Sequence, residues 1–266
     1  MPLLPLRPRT QSMKPAAAAA AAAGEGQLWA RLRHLWLAKM LATTLGISAF
    51  FMAYFWVLRH PIFAVSVMPV TALDMALEFH AEALPVYLSL WLYVSLAPAL
   101  MGSGRDLLSF GLASLALAVV GLGAFMLWPT AVPEFAIDWS AHPSVAFLKR
   151  VDVSANACPS LHVAFAVFTA IWLARLLAGM ACGRAWHALN WLWCGAILYS
   201  TLATRQHVVL DVIAGALLGA AVATVHLRWR ARVRRPGAGP LAALDASAAT
   251  AATAATAATA ASLTSL

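Results

Sequence analysis

The sequence predicts an all-α protein, a bundle of six transmembrane helices with an outer-face active site and disordered Ala-rich tails. Three observations carry that reading. Hydrophobic residues make up 62% of the chain and charged residues only 11%, a balance foreign to soluble domains. Six apolar stretches, about 40–58, 83–101, 107–128, 160–181, 186–203 and 207–227, are each close to the roughly 20 residues a bilayer helix needs. The basic residues gather in tails and short loops beside those stretches rather than on one exposed face. The net charge of +8 therefore reads as membrane orientation, and nucleic acid is excluded as a partner. Cys158, Cys182 and Cys194 have no metal-ligand or disulfide spacing and read as packing residues.

Residues 1–33 are Pro- and Arg-bearing, then hold eight alanines from Ala16 to Ala23, a run too short and too weakly apolar to span. They are expected to form a disordered cytoplasmic tail, and residues 231–266, with their Ala-Ala-Thr repeat, a second one. The six-span domain is placed at 34–230 between them. Six spans put both termini on one side. With the termini inside, only Arg59, Lys149, Arg150 and Arg205 of the 18 Lys and Arg residues lie outside. The positive-inside rule thus turns loops 59–82, 129–159 and 204–206 outward and suits a multi-pass protein of the bacterial inner membrane.

Two short stretches depart from the lipid-facing pattern. Thr204-Arg205-Gln206-His207-Val208-Val209-Leu210-Asp211 places ionisable groups at the mouth of the sixth span, where such residues are functional candidates. With a helix starting near His207, His207 and Asp211 share one face, so the carboxylate can hold one ring nitrogen and raise the nucleophilicity of the other. The second stretch, Pro159-Ser160-Leu161-His162, opens the fourth span, with Pro159 suited to the first helical position. Two helix starts on one outer face make an anion site between them, and a phosphate fits there. His207 and His162 then divide into nucleophile and general acid, with Arg205, Lys149 and Arg150 to neutralise phosphoryl oxygens.

The pair Pro159-Ser160-Leu161-His162 and His207-Val208-Val209-Leu210-Asp211 resembles the second and third signature motifs of the type 2 phosphatidic acid phosphatase superfamily of membrane proteins. Asp152, Asn156, Leu161 and the following Val163-Ala164 look more like its inositolphosphotransferase branch, the inositol phosphorylceramide synthase-like proteins. The resemblance covers roughly residues 34–227. It implies that His207 attacks phosphorus, Asp211 orients His207, His162 protonates the leaving alkoxide and Ser160 hydrogen-bonds a phosphoryl oxygen. It implies no metal and no other cofactor. Asp152, Asn156 and Pro159 would be structural residues near the site. The chain departs from the family pattern in two places: Ser200-Thr201 stands where the third motif has Ser-Arg, and Pro133-Glu134 where the first motif ends in Arg-Pro. Arg205 is taken as the substitute for the first of these missing arginines.

The activity expected is that of a membrane lipid phosphatase or phosphotransferase, with a phospholipid or lipid phosphate and the bilayer as partners. The resemblance does not specify an oligomeric state. Three other readings stand beside it: a Ser160-His207-Asp211 hydrolase, a metal site of His162, His207 and Asp211, and a non-catalytic lipid-binding or transport protein on the same scaffold. His34, His60, His80, His142, His187 and His226 are expected to be interfacial or packing residues. Glycines 111, 121, 123, 215 and 219 are expected to allow close helix contact.

Overall fold

The computed structural model describes residues 14–151 and 156–233. In chain order the helices are α1 (Lys14–Arg33), α2 (Trp36–Arg59), α3 (Ala72–Ala76), α4 (Leu84–Leu88), α5 (Leu90–Ala99), α6 (Gly104–Leu127), α7 (Pro143–Val151), α8 (Leu161–Gly179), α9 (Arg184–Ala203) and α10 (Val209–Val233). Two-residue strands β1 (Ser66–Val67) and β2 (Thr130–Ala131) lie in the loops. The described residues up to Ala223 form one compact unit. The second unit, 224–266, is described through residues 224–233, which are helical.

Four helices, α2, α6, α8 and α10, are long and apolar enough to cross a membrane, where six spans were expected. The other two expected spans depart for local reasons. The stretch 83–101 is split at Ser89, whose N–H is shared between the carbonyls of Pro85 (3.0 Å) and Val86 (3.2 Å). The Ser89 hydroxyl also donates to the Val86 carbonyl at 2.6 Å, so the ladder tightens for one residue. The helix α9 has 20 residues, but Arg184, His187 and Asn190 in its first two turns lower its apolar character.

Residues 14–33, expected within a disordered tail, are helical instead. Alanine has the highest helix propensity of any residue, so a run of eight favours a helix without any packing face. Lys39, buried near the start of α2, donates to the carbonyls of Arg31 and Ala99, the latter at 2.8 Å, and so joins the last turns of α1 and α5. An ammonium suits these carbonyl-rich helix ends. Residues 1–13 and 234–266 of the expected tails lie outside the described residues.

At the centre of the packing is α8, which contacts α5, α6 and α9. Val163, Ala164, Ala166, Phe168, Ala170 and Trp172 are all buried along it. By contrast α2 exposes Leu41, Leu45, Met52 and Trp56, an apolar surface that suits lipid and not water. The two strands pair in parallel, Ser66 with Thr130 and Val67 with Ala131, and Thr130 bridges on to Asn156. This short strap ties both long loops to the segment just ahead of α8.

Close approach of α10 to α8 is a property of two glycines. A Cβ added at Gly215 would run into the Ser160 carbonyl, and one at Gly219 into the Ala164 carbonyl. Both obstacles are backbone, so they cannot swing aside. Gly111 and Gly123, expected in the same role, face open space within 4 Å. Gly219→Ala should therefore lower stability by about 1–3 kcal/mol through overpacking, whereas Gly111→Ala should leave the thermal midpoint unchanged or raised. Paired thermal melts in detergent test this contrast.

Candidate active site

The site begins at the start of α8. Ser160 is the N-cap, its hydroxyl accepting the Val163 N–H at 3.4 Å, so Pro159 lies one residue outside the helix rather than at its first position. The Cys158–Pro159 peptide bond is cis. Ser160 is fully buried, and its N–H donates to the Asp211 carbonyl at 3.0 Å. A hydroxyl expected to meet a phosphoryl oxygen is thus engaged in capping. One residue into the helix stands His162. Its ring stacks on Tyr87 of α4, with centroids 4.5 Å apart, and meets Trp91 of α5 edge-on at 5.7 Å. The Tyr87 hydroxyl lies 3.4 Å from His162 Nδ1, a long contact that leaves Nε2 for other partners.

The second half is the turn from α9 to α10. Thr201 offers its carbonyl to the N–H groups of both Gln206 (3.0 Å) and His207 (3.2 Å), and Arg205 takes a left-handed conformation with φ 55°. Helix α10 starts at Val209, two residues later than the sequence suggested, so His207 is not itself helical. His207 and Asp211 still meet, because Asp211 folds back as a cap. Its Oδ2 accepts the Val208 N–H at 3.1 Å and lies 3.5 Å from His207 Nδ1. That distance is an electrostatic contact, longer than a good hydrogen bond, and such pairs tighten when a substrate binds. Asp211 is fully buried and His207 is 7% exposed.

These two halves bring the imidazoles of His162 and His207 to a centroid separation of 6.2 Å, with ring planes 53° apart. Two cavities open from the pair. One, of about 720 Å³, is apolar and bounded by α2, α5, α6 and α8, and His162, Tyr87, Trp91, Leu161 and Phe165 line its end. The other, of about 670 Å³, is polar and is lined by His207, Gln206, Asn156, Glu134, Lys149 and Arg150. Helix α7 contributes to both, Leu148 to the apolar cavity and Lys149 and Arg150 to the polar one.

Arg205 departs from expectation. Its Nη1 donates to the Asp74 carbonyl at 2.8 Å, its Nη2 donates to the Leu77 carbonyl, and the guanidinium lies 4.3 Å from the Phe135 ring centre. It is 8% exposed and lines neither cavity; its two Nη groups face backbone, and its buried Nε has no hydrogen-bond partner among the described residues. Lys149 is nearer the site than its position in the chain suggested. Its ammonium donates to the Arg205 carbonyl at 3.0 Å and lies 4.8 Å above the Trp139 ring. Asn156 is buried against the pocket, with no hydrogen-bond partner for its Nδ2 among the described residues. Asp152 lies outside the described residues. Sequence reasoning missed Tyr87 and Trp91, whose only signal was an aromatic pair at i and i+4 in an apolar span, and it missed Asp74.

The fold and site together define a helical protein with membrane-length helices, in which two histidines and a carboxylate converge. Residues 105–235, which contain His162, His207 and Asp211, match the model of the PAP2 superfamily. Members of that superfamily are phosphatases or phosphotransferases, which indicates phosphoryl transfer in general. The match is at superfamily level and does not select the inositolphosphotransferase-like branch. No curated protein and no solved structure matches the chain.

Cys158, just ahead of α8, is buried, and burial first and the neighbouring Asp211 carboxylate second push its thiol up to about 11. The thiolate is the reactive form. Iodoacetamide at pH 8 should accordingly modify Cys182, which is partly exposed, well before Cys158, as followed by mass spectrometry of the folded protein.

Proposed function

We propose that the protein is a membrane phosphatase or phosphotransferase that acts on a phosphorylated lipid through a phosphohistidine intermediate. The observation that carries the reading is the 6.2 Å approach of the His162 and His207 rings where an apolar cavity meets a polar one. In this reading the acyl or prenyl part of the lipid lies in the apolar cavity beside His162, and the phosphoryl oxygens lie on the polar side. Nε2 of His207 attacks phosphorus while Asp211 holds Nδ1 and stabilises the imidazolium that forms. The P–O bond to the lipid alkoxide breaks, and His162 supplies the proton to that oxygen. Water or an alcohol then attacks the phosphorus, returns its proton to His162 and frees His207.

Charge on the phosphoryl oxygens falls to Lys149 and Arg150, the cations that line the polar cavity. They take the part that the sequence assigned first to Arg205. Six spans, with α4–α5 and α9 as the two beyond α2, α6, α8 and α10, both termini in the cytoplasm and the site facing outward complete the reading. The arrangement suits a multi-pass protein of the bacterial inner membrane. The Leu161-Val163-Ala164 context favours an alcohol acceptor of the inositolphosphotransferase kind, whereas the pocket geometry serves either acceptor.

The test offers purified protein a panel of phospholipids with and without alcohol acceptors and follows free phosphate and new phosphodiester. His207→Ala should cut turnover roughly a thousandfold or more, as loss of a nucleophile does. Retained turnover in that variant would overturn the mechanism, and lipid binding without any turnover in the wild type would select the carrier. In the same assay Lys149→Ala and Arg150→Ala should each lower kcat/KM by about 1.5–3 kcal/mol of charge-assisted hydrogen bonding, or roughly tenfold to a hundredfold.

A further inference from the structure

The first turn of α10 caps the Val208 N–H with its own Asp211 but has no side chain of its own for the Val209 N–H. Its N-cap position is Val208, fully buried against Met68, Ala157 and Cys158, and valine has no oxygen to offer the orphan N–H groups. The cap comes from elsewhere in the chain. Asp74 of α3, 1% exposed, accepts the Val209 N–H on Oδ1 at 2.8 Å across 135 residues. Its Oδ2 accepts the backbone N–H (2.8 Å) and hydroxyl (2.6 Å) of Thr71, so both carboxylate oxygens have donors. The same short helix grips the other end of the turn, because the carbonyls of Asp74 and Leu77 receive the Arg205 guanidinium. Residues 205 and 209 are thus both fastened to α3, and His207 is the midpoint between them.

From this geometry we infer that Asp74 is a positioning residue for His207, acting through the Val209 amide with Arg205 as the second tether. The inference rests on His207 being the nucleophile. The reason for two tethers is the looseness of the contact they bracket. At 3.5 Å, the His207–Asp211 pair does not fix the imidazole through a strong hydrogen bond. The turn itself holds a non-glycine residue in the left-handed region, a conformation that costs energy and persists only where its surroundings enforce it. Catalytic groups need to stay within about 0.5 Å of their working geometry, so the restraint must come from the backbone on either side. Asp74 supplies it from α3 and Arg205 from within the turn, and neither lines a cavity.

The experiment compares Asp74→Ala, Asp74→Asn and Arg205→Gln with the wild type. It uses full-length protein and the panel lipid that the wild type turns over fastest. A nucleophile displaced by about 1 Å loses on the order of a hundredfold in rate, so Asp74→Ala and Arg205→Gln should lower kcat by roughly tenfold to a hundredfold with KM within about twofold. Asp74→Asn keeps an oxygen for the Val209 N–H and should recover most of kcat. If Asp74→Ala does not fold, Arg205→Gln tests the same clasp from its other side. A lowered thermal midpoint with unchanged kcat per folded molecule would reduce Asp74 to a structural role and overturn the inference. A rise in KM alone for Arg205→Gln would restore Arg205 as a phosphate ligand and also overturn it. Carbethoxylation of His207, read by mass spectrometry, should accelerate in Asp74→Ala. This readout needs no turnover, so it separates failure of the clasp from failure of the phosphohistidine reading, for which His207→Ala is the control.

Discussion

Where α8 and α10 touch, they touch through backbone. The Ser160 N–H donates to the Asp211 carbonyl, and Gly215 and Gly219 let the Ser160 and Ala164 carbonyls approach closer than any side chain would permit. His162 lies two residues from Ser160 in one helix, and His207 four residues from Asp211 at the start of the other. With the backbones joined at Ser160 and Asp211, the two rings have little room to be anywhere but near each other. The 6.2 Å separation of the imidazoles is therefore a consequence of helix packing. It does not depend on attraction between the rings, which would repel if both were protonated.

Around that fixed distance the surroundings of the two histidines differ. His162 is stacked on Tyr87 and edged by Trp91 at the end of an apolar cavity, while His207 faces a pocket that holds Lys149, Arg150 and Asn156. An oxygen leaving on the apolar side is poorly solvated and needs a proton, and negative charge on the polar side needs donors. Under the proposed mechanism this asymmetry suits the two rings to different tasks. Helix α7 serves both sides because three consecutive residues, Leu148, Lys149 and Arg150, point around its circumference.

Much of this was legible in the sequence, for reasons that can be stated. His162, His207 and Asp211 stand in short local patterns, and local patterns survive folding whether or not the helix starts where expected. The i, i+4 relation of His207 and Asp211 reads as one face of one helix, yet the structure meets it by a capping fold-back, in which Asp211 reaches the Val208 N–H. Arg205 was misread because side-chain direction in a left-handed residue does not follow helical spacing, and its partners, the Asp74 and Leu77 carbonyls, carry no sequence signal. Asp74 itself looked like one more acidic residue in an outer loop. The helical state of the alanine run was available from propensity but was set aside in favour of composition. The split at Ser89 turns on a hydroxyl bonding its own helix, which apolarity alone does not register.

The start of α10 is not the open anion site that its dipole suggests. A helix N-terminus favours negative charge, and here two buried carboxylates already satisfy that preference, Asp211 at the Val208 amide and Asp74 at the Val209 amide. A phosphate seated there would meet like charge instead of free N–H groups. In the proposed mechanism the phosphoryl group is then held from the side of the α7 cations, Lys149 and Arg150, which line the polar cavity. This fits a chain in which the arginines of the family motifs are missing from their usual places. Two carboxylates take up the dipole on either side of the turn that carries His207, which under the proposed mechanism leaves the positive charge of the site to Lys149 and Arg150.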